Sequence, residues 1–404
     1  MTGRERRQAV GGWIMLAMGV LCLGVFPLLL LRNEGGLFDW SLRYSYSGFT
    51  QTKRDTAWLL GGVCSFGMLA SLLLGAGRTV DWRHPGRVLV AACFGWMALS
   101  MCFGSAHETL NSSGGLTVWE GATRYEGMST QLCYLALFMA LSSCRPKVKW
   151  VAVGAAVGLA GYAVIVALQY LGMDPLDLYP GARSIYTNYE FQGTIGNIDM
   201  GIGYLCLVTP LLLGCYVVWG GPLGTALLPF GLVGVLLLLM MDVTAGLLGL
   251  LFGLGLLVLL ALCRQRLRSR CLVVLGLAVL CLLLRQLTGL PWLDGLEAPW
   301  YCAPRTDDPS LPSLTGGEAL IFPWNVSAKK LLLLVPAALL LSGAWLCRKH
   351  PGRAVRLRWP LLLIAALGVG GLLAVRFVEV PQSMGALYQL HEVLCGRGLD
   401  SFGS

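Results

Sequence analysis

Residues 225–262 read TALLPFGLVGVLLLLMMDVTAGLLGLLFGLGLLVLLAL, and their reading decides the fold. Apart from Asp242 and Thr244 near the middle, the stretch is almost wholly apolar. As a single helix its 38 residues would extend about 57 Å at 1.5 Å per residue, far beyond a hydrocarbon core of about 30 Å. Two membrane spans, 225–241 and 246–262, joined by a tight turn at Asp242-Val243-Thr244, fit instead. The basic run Arg264, Arg266, Arg268, Arg270 follows at once, so the turn also decides which side of a membrane those four charges occupy.

The rest of the chain agrees with a membrane reading. Of 404 residues, 56% are apolar and only 13% charged, about half the roughly 25% charged residues of a soluble domain. This excludes a water-soluble globular enzyme, a disordered chain and a fibrous repeat. Apolar runs of spanning length lie at about 13–31, 57–77, 88–104, 129–143, 150–171, 201–219, 225–241, 246–262, 271–290, 329–346 and 360–376. The expected fold is all-α, a bundle of eleven spans within 1–376. The first run follows Arg4, Arg6 and Arg7 without a small-residue cleavage site before Arg32, so it reads as an uncleaved anchor.

With the N-terminus inside, the inner segments are 1–12, 78–87, 144–149, 220–224, 263–270 and 347–359. They hold 18 of the 30 Lys/Arg but only 2 of the 21 acids, Glu5 and Asp81. The net +9 therefore divides into +16 inside and −7 outside, as the positive-inside rule requires of short loops. Merging 225–262 into one span would invert the Arg264–Arg270 cluster. These inner runs are short and lack interleaved aromatics, so anionic membrane lipid is their expected partner and nucleic acid is not.

Most of the 14 cysteines sit in apolar runs, where a thiol behaves as a small hydrophobe, and no C-x-x-C pair occurs. Only Cys302 and Cys395 fall in outer segments, which leaves a bridge between them open. Gly154-x-x-x-Gly158 and Gly249-x-x-x-Gly253 suit close helix packing in lipid. The spans hold few ionisable groups. Arg285, about a turn from the outer end of its span, is expected to snorkel toward the interface.

Polar and aromatic residues concentrate in the outer segments 32–56, 105–128, 172–200, 291–328 and 377–404, so the chemistry is expected on the outer face. There is no P-loop and no G-x-S-x-G elbow. The pairs His107-Glu108 and His391-Glu392 lack a second His at zinc-protease spacing. The most distinctive segment runs from Tyr179-Pro-Gly-Ala-Arg183 through Tyr189-Glu-Phe-Gln-Gly193-Thr-Ile-Gly196-Asn197-Ile-Asp199-Met into a span. Gly193 and Gly196 permit tight turns, and Asn197 and Asp199 suit N-caps. Helix capping alone does not explain why Arg183 and Glu190 share this loop, or why it opens on the helix entry. A helix N-terminus with Arg183 beside it is a reasonable diphosphate site.

Phe191-Gln-Gly-Thr-Ile-Gly-Asn-Ile-Asp199, followed by Tyr204-Leu-Cys-Leu-Val-Thr-Pro210, resembles the signature of the O-antigen ligase/polymerase-like membrane proteins. In that family a Gly/Asn loop leads into a proline-bearing span. The turn Met241-Asp-Val-Thr-Ala-Gly246 matches the family's small polar turn between two spans. The tail His391-Glu-Val-Leu-Cys-Gly-Arg-Gly-Leu-Asp-Ser-Phe-Gly-Ser404 resembles the start of its large outer loop. Ligase members carry Ser-Arg at that turn, where this chain has Asp242-Val-Thr.

The resemblance implies transfer of a glycan from a polyprenyl-diphosphate carrier to an acceptor sugar on the outer face of the bacterial cytoplasmic membrane, without nucleotide, metal or other cofactor. By the same resemblance Arg183 would hold the diphosphate, Gly193, Gly196 and Asn197 would shape the loop, and Asp242 would sit at the second turn. Such a reaction needs cations at the leaving group and a base at the acceptor hydroxyl. Arg183 and Arg397 are candidates for the first; His391, Glu392 and Asp400 are candidates for the second, each also readable as a solvated loop residue. Residues 377–404 read as the start of an outer loop, and the chain is expected to be a truncated member. The competing class is a lipid-linked oligosaccharide flippase or another transporter, which predicts inverted repeats and charges lining a central cavity. A glycosyltransferase of the shape-and-division family and a membrane scaffold are the remaining readings.

Overall fold

In the computed structural model, the residues described are 2–33, 40–42, 49–74, 85–103, 148–170, 193–195, 198–241, 243–287, 331–349 and 358–375. Positions 128, 131–133, 135, 138, 377, 391 and 395 complete them. Helices dominate, as the apolar runs require. They are α1 (Gly3–Val20), α2 (Phe49–Leu73), α3 (Pro85–Phe103), α4 (Val148–Tyr170) and α5 (Ile198–Trp219). After these come α6 (Gly221–Met241), α7 (Thr244–Cys263), α8 (Arg268–Leu287), α9 (Leu334–Lys349) and α10 (Arg358–Val375). Among the described residues, six stretches are long and apolar enough to cross a membrane: Glu5–Val25, Lys149–Leu168, Met200–Trp219, Gly221–Met241, Ala245–Cys263 and Gln265–Leu287. The chain is a helical membrane protein. Helices α2, α3, α9 and α10 overlie four further predicted spans, and helical positions between Met128 and Phe138 fall on the predicted span 129–143.

The stretch 225–262 is two helices. α6 stops at Met241, Val243 is extended (φ −106°, ψ 133°), and α7 starts at Thr244. Asp242 itself lies outside the described residues. One element was not anticipated: a short antiparallel ribbon in which Leu31 pairs with Leu42 and Asn33 with Trp40.

The chain forms two compact units. The first comprises Met1–Tyr162, Asp174–Ala182 and Thr194–Gly196, and so contains α1–α3 and most of α4. A capping box starts α1, with Thr2 Oγ1 accepting from Glu5 N–H and Glu5 Oε2 accepting from Thr2 N–H at 2.8 Å. The helix widens into a π turn, Leu21–Val25, and stops at Pro27. There α4 comes within backbone contact. A Cβ on Gly158 would stand 2.6 Å from the Gly24 carbonyl oxygen, so only glycine permits the approach. Ser71 on α2 donates to the Gly11 carbonyl of α1 at 3.0 Å.

The second unit contains α5–α10. α5 and α6 form a hairpin closed by Gly220 and Gly221, at φ +57° and +65°. Pro210, inside α5, packs against Gly253 of α7, where a Cβ would approach it to 2.6 Å. Both G-x-x-x-G stretches are thus helix contacts with identified partners. Large apolar side chains remain exposed along the helices, among them Phe66 (74%), Trp96 (73%) and Phe252 (70%). A surface of this kind suits lipid and not water.

Candidate functional site

The signature segment is described at Gly193–Ile195 and from Ile198 onward. Gly193 is buried at φ +52°, a conformation that a residue with a Cβ adopts with strain. The next residue, Thr194, is fully buried (0% exposed) and donates from Oγ1 to the Pro27 carbonyl at 2.5 Å. Pro27 ends the first helix, so its neighbourhood carries carbonyls that no helical N–H satisfies. Thr194 takes one of them.

Its neighbours are taken by the first turns of α2. Lys53 Nζ donates toward the Phe26 carbonyl (3.4 Å) and the Leu29 carbonyl (3.3 Å), and lies 5.3 Å from the Phe26 ring centre. Thr56 Oγ1 accepts from Leu31 N–H at 2.8 Å. Its single proton is shared between the Leu31 carbonyl (3.1 Å) and the Thr52 carbonyl (2.8 Å). Arg54 grips Oδ1 of the buried Asp55 through Nε (2.9 Å) and Nη2 (2.8 Å), and stacks 4.7 Å from Trp58. Lys53 precedes the span predicted from residue 57. Burial holds its ammonium down to about 7 from an ordinary 10.5. Lys53-Arg54-Asp55-Thr56 carries a signal visible in the sequence: three consecutive charges opening an apolar run, in a chain with few charges to spare.

Helix α5 begins at Ile198. Asp199 is therefore the second residue of the helix and not its cap. An acid in the first turn still complements the helix dipole. His391 is half-buried in a helical turn: its carbonyl accepts from Cys395 N–H at 2.9 Å, and Cys395 Sγ lies 3.7 Å from Nε2 and 3.9 Å from Nδ1. Arg183, Glu190, Gly196, Asn197, Asp242, Glu392, Arg397 and Asp400 lie outside the described residues, as does Cys302.

Arg285 departs from expectation. It is 1% exposed, beside Gln286 at 1%, in the last turn of α8. Snorkelling requires an open path along the helix to water. Here the face bearing Arg285 is covered within the second unit, so the guanidinium is held inside the protein. Among the described residues no three His, Cys, Asp or Glu gather as a metal site.

No protein-family model, curated protein or solved structure matches the chain.

Proposed function

We propose that the protein is a cell-envelope glycan polymerase or ligase of the O-antigen ligase/polymerase-like kind. It transfers a glycan from a polyprenyl-diphosphate carrier to an acceptor sugar on the outer face of the bacterial cytoplasmic membrane. In this reading the chain crosses the membrane eleven times, with the N-terminus cytoplasmic and residues 377–404 outside. The observation that carries it is the signature turn. Gly193 at φ +52°, followed by Thr194 with its bond to Pro27, makes a turn in the segment that leads to Asn197 and the start of α5. A diphosphate held by Arg183 then meets the unpaired N–H groups of that helix start.

In the reaction the acceptor hydroxyl oxygen bonds to the anomeric carbon as the bond from that carbon to the carrier phosphate breaks. The diphosphate leaves with the bonding pair, and its charge is offset by Arg183 and Arg397. A base, His391 or one of Glu392 and Asp400, takes the hydroxyl proton.

Arg183→Ala tests the reading through the length distribution of surface glycan in an expressing strain. Shortened or lost glycan at normal protein levels is expected. Unchanged glycan removes Arg183 from donor binding, while lipid-linked intermediates trapped on the inner leaflet would favour the flippase reading.

A further inference from the structure

The four arginines after α7 have equal weight in a charge count, but the structure divides them into two pairs. Arg268 is buried and donates from Nε to the Ala261 carbonyl and from Nη2 to the Leu262 carbonyl, both at 3.2 Å, closing the C-terminal end of α7. Arg270 donates from Nη1 to the Val217 (3.2 Å) and Val218 (3.4 Å) carbonyls at the end of α5. Its guanidinium lies against Gly220, where a Cβ would collide with it. Arg264 and Arg266 do neither of these things. Both are exposed, in the break between α7 and α8, where Arg264 is extended (φ −129°, ψ 107°) and Gln265–Leu267 make a single 3₁₀ turn. Among the described residues neither has an acidic partner, and no acid occurs anywhere in 264–270.

Arg264 and Arg266 line one wall of a cavity of about 810 Å³, together with Arg270, Ser269, Gln265 and Trp219. Its volume is that of a small-molecule site, in the range of about 300–1,000 Å³. Its donors are guanidinium forks and a hydroxyl, the groups that bind phosphate oxygens in pairs. Trp219 supplies the aromatic wall common at a headgroup boundary. Charge balance alone would be satisfied by arginines spread through solvent. It does not account for two exposed guanidinium groups on a cavity whose third arginine is fixed in place by carbonyls at the end of α5.

We propose that this cavity is a binding site for a phosphate-bearing anion, either the headgroup of an anionic phospholipid or a free phosphate compound. Arg264 and Arg266 make the contacts that depend on ligand, and Arg270 serves as the fixed cation. The site does not depend on the glycan-transfer reading.

The test uses the full chain in neutral detergent. Binding is read by native mass spectrometry and by thermal unfolding, with phosphatidylglycerol, phosphatidylcholine or inorganic pyrophosphate added separately. The variant Arg264→Gln/Arg266→Gln is compared with Arg6→Gln/Arg7→Gln, which removes the same charge from the exposed N-terminal turn of α1. Near a lipid surface each cation counts for about fivefold in affinity. Phosphatidylglycerol binding should therefore fall on the order of 30-fold in the first pair and by clearly less in the second, whose arginines stand on an exposed helix turn. Pyrophosphate binding that is lost with Arg264 and Arg266 would support the site with a soluble ligand; binding of phosphatidylglycerol alone would support it with a headgroup. Equal losses in both pairs, equally tight phosphatidylcholine, or binding of neither anion would overturn the proposal. If the glutamine pair does not fold, Arg264→Lys/Arg266→Lys keeps the charge and removes the fork. Severalfold weaker binding is then expected, and unchanged affinity overturns the proposal.

Discussion

The turn after the first helix and the turn after α7 solve one problem by different means. At each, a helix ends with carbonyls lacking helical partners, and cationic side chains reach them. At Phe26–Leu31 the cation is Lys53, held by the Phe26 and Leu29 carbonyls and the Phe26 ring, and burial lowers its affinity for a proton. At Ala261–Arg270 the cations are arginines beside an open cavity. A guanidinium keeps its charge in almost any setting, whereas an ammonium deprived of water gives it up. The same sequence feature, a few basic residues flanking an apolar run, thus becomes a packed helix anchor in one place and an exposed charged surface in the other.

The sharpest way to break this contrast is at Gly220. Valine there must adopt φ +57° and must also displace the Arg270 guanidinium that closes α5. Backbone strain of about 1–2 kcal/mol and lost charge-assisted bonds of about 1.5–3 kcal/mol should together lower the unfolding temperature in detergent more than any other single change considered. A near-normal unfolding temperature for Gly220→Val would mean that Arg270 does not close the helix.

Thr194→Val is next. It keeps the shape but leaves the Pro27 carbonyl without its buried donor, for a loss of about 1–3 kcal/mol. Thermal unfolding again reads the effect. Stability equal to that of the parent chain would show that the signature turn is not anchored through this bond.

A pH dependence at Lys53 completes the comparison. Its proton affinity is lowered from 10.5 to about 7 in the folded chain. Between those values the unfolded chain holds a proton there that the folded chain does not. Stability from this group therefore rises as pH increases from about 7 toward 10.5, and its burden is full below 7. Lys53→Met removes the dependence, so its unfolding temperature relative to the parent chain should be more favourable at pH 6.5 than at pH 9. A constant difference across that interval would place Lys53 in water.

Much of the architecture was legible in advance. Apolar run length located the helices, and the pair Asp242-Thr244 marked the break between α6 and α7, because a polar pair amid so many leucines has no other structural use. Gly193 was picked out as a turn residue, and it adopts a left-handed conformation. The candidate site was legible only in part. Thr194 lay unremarked inside the signature, since nothing local distinguishes a buried threonine from an exposed one. Lys53 and Asp55 were counted as outer-segment charges, and Arg285 was expected at the interface.

The primary structure alone determined the class of protein, the placement of its helices and the separation of its charges into basic and acidic segments. Those properties depend on near neighbours along the chain: hydropathy over about 20 residues and charge at the ends of each run. Tertiary structure alone decided which charges are structural and which are available. Thr194 meets Pro27 across 167 positions of sequence, and Arg270 meets Val217 across 53. Whether a polar group is satisfied, desolvated or exposed depends on such distant partners, and the period of a helix carries no information about them.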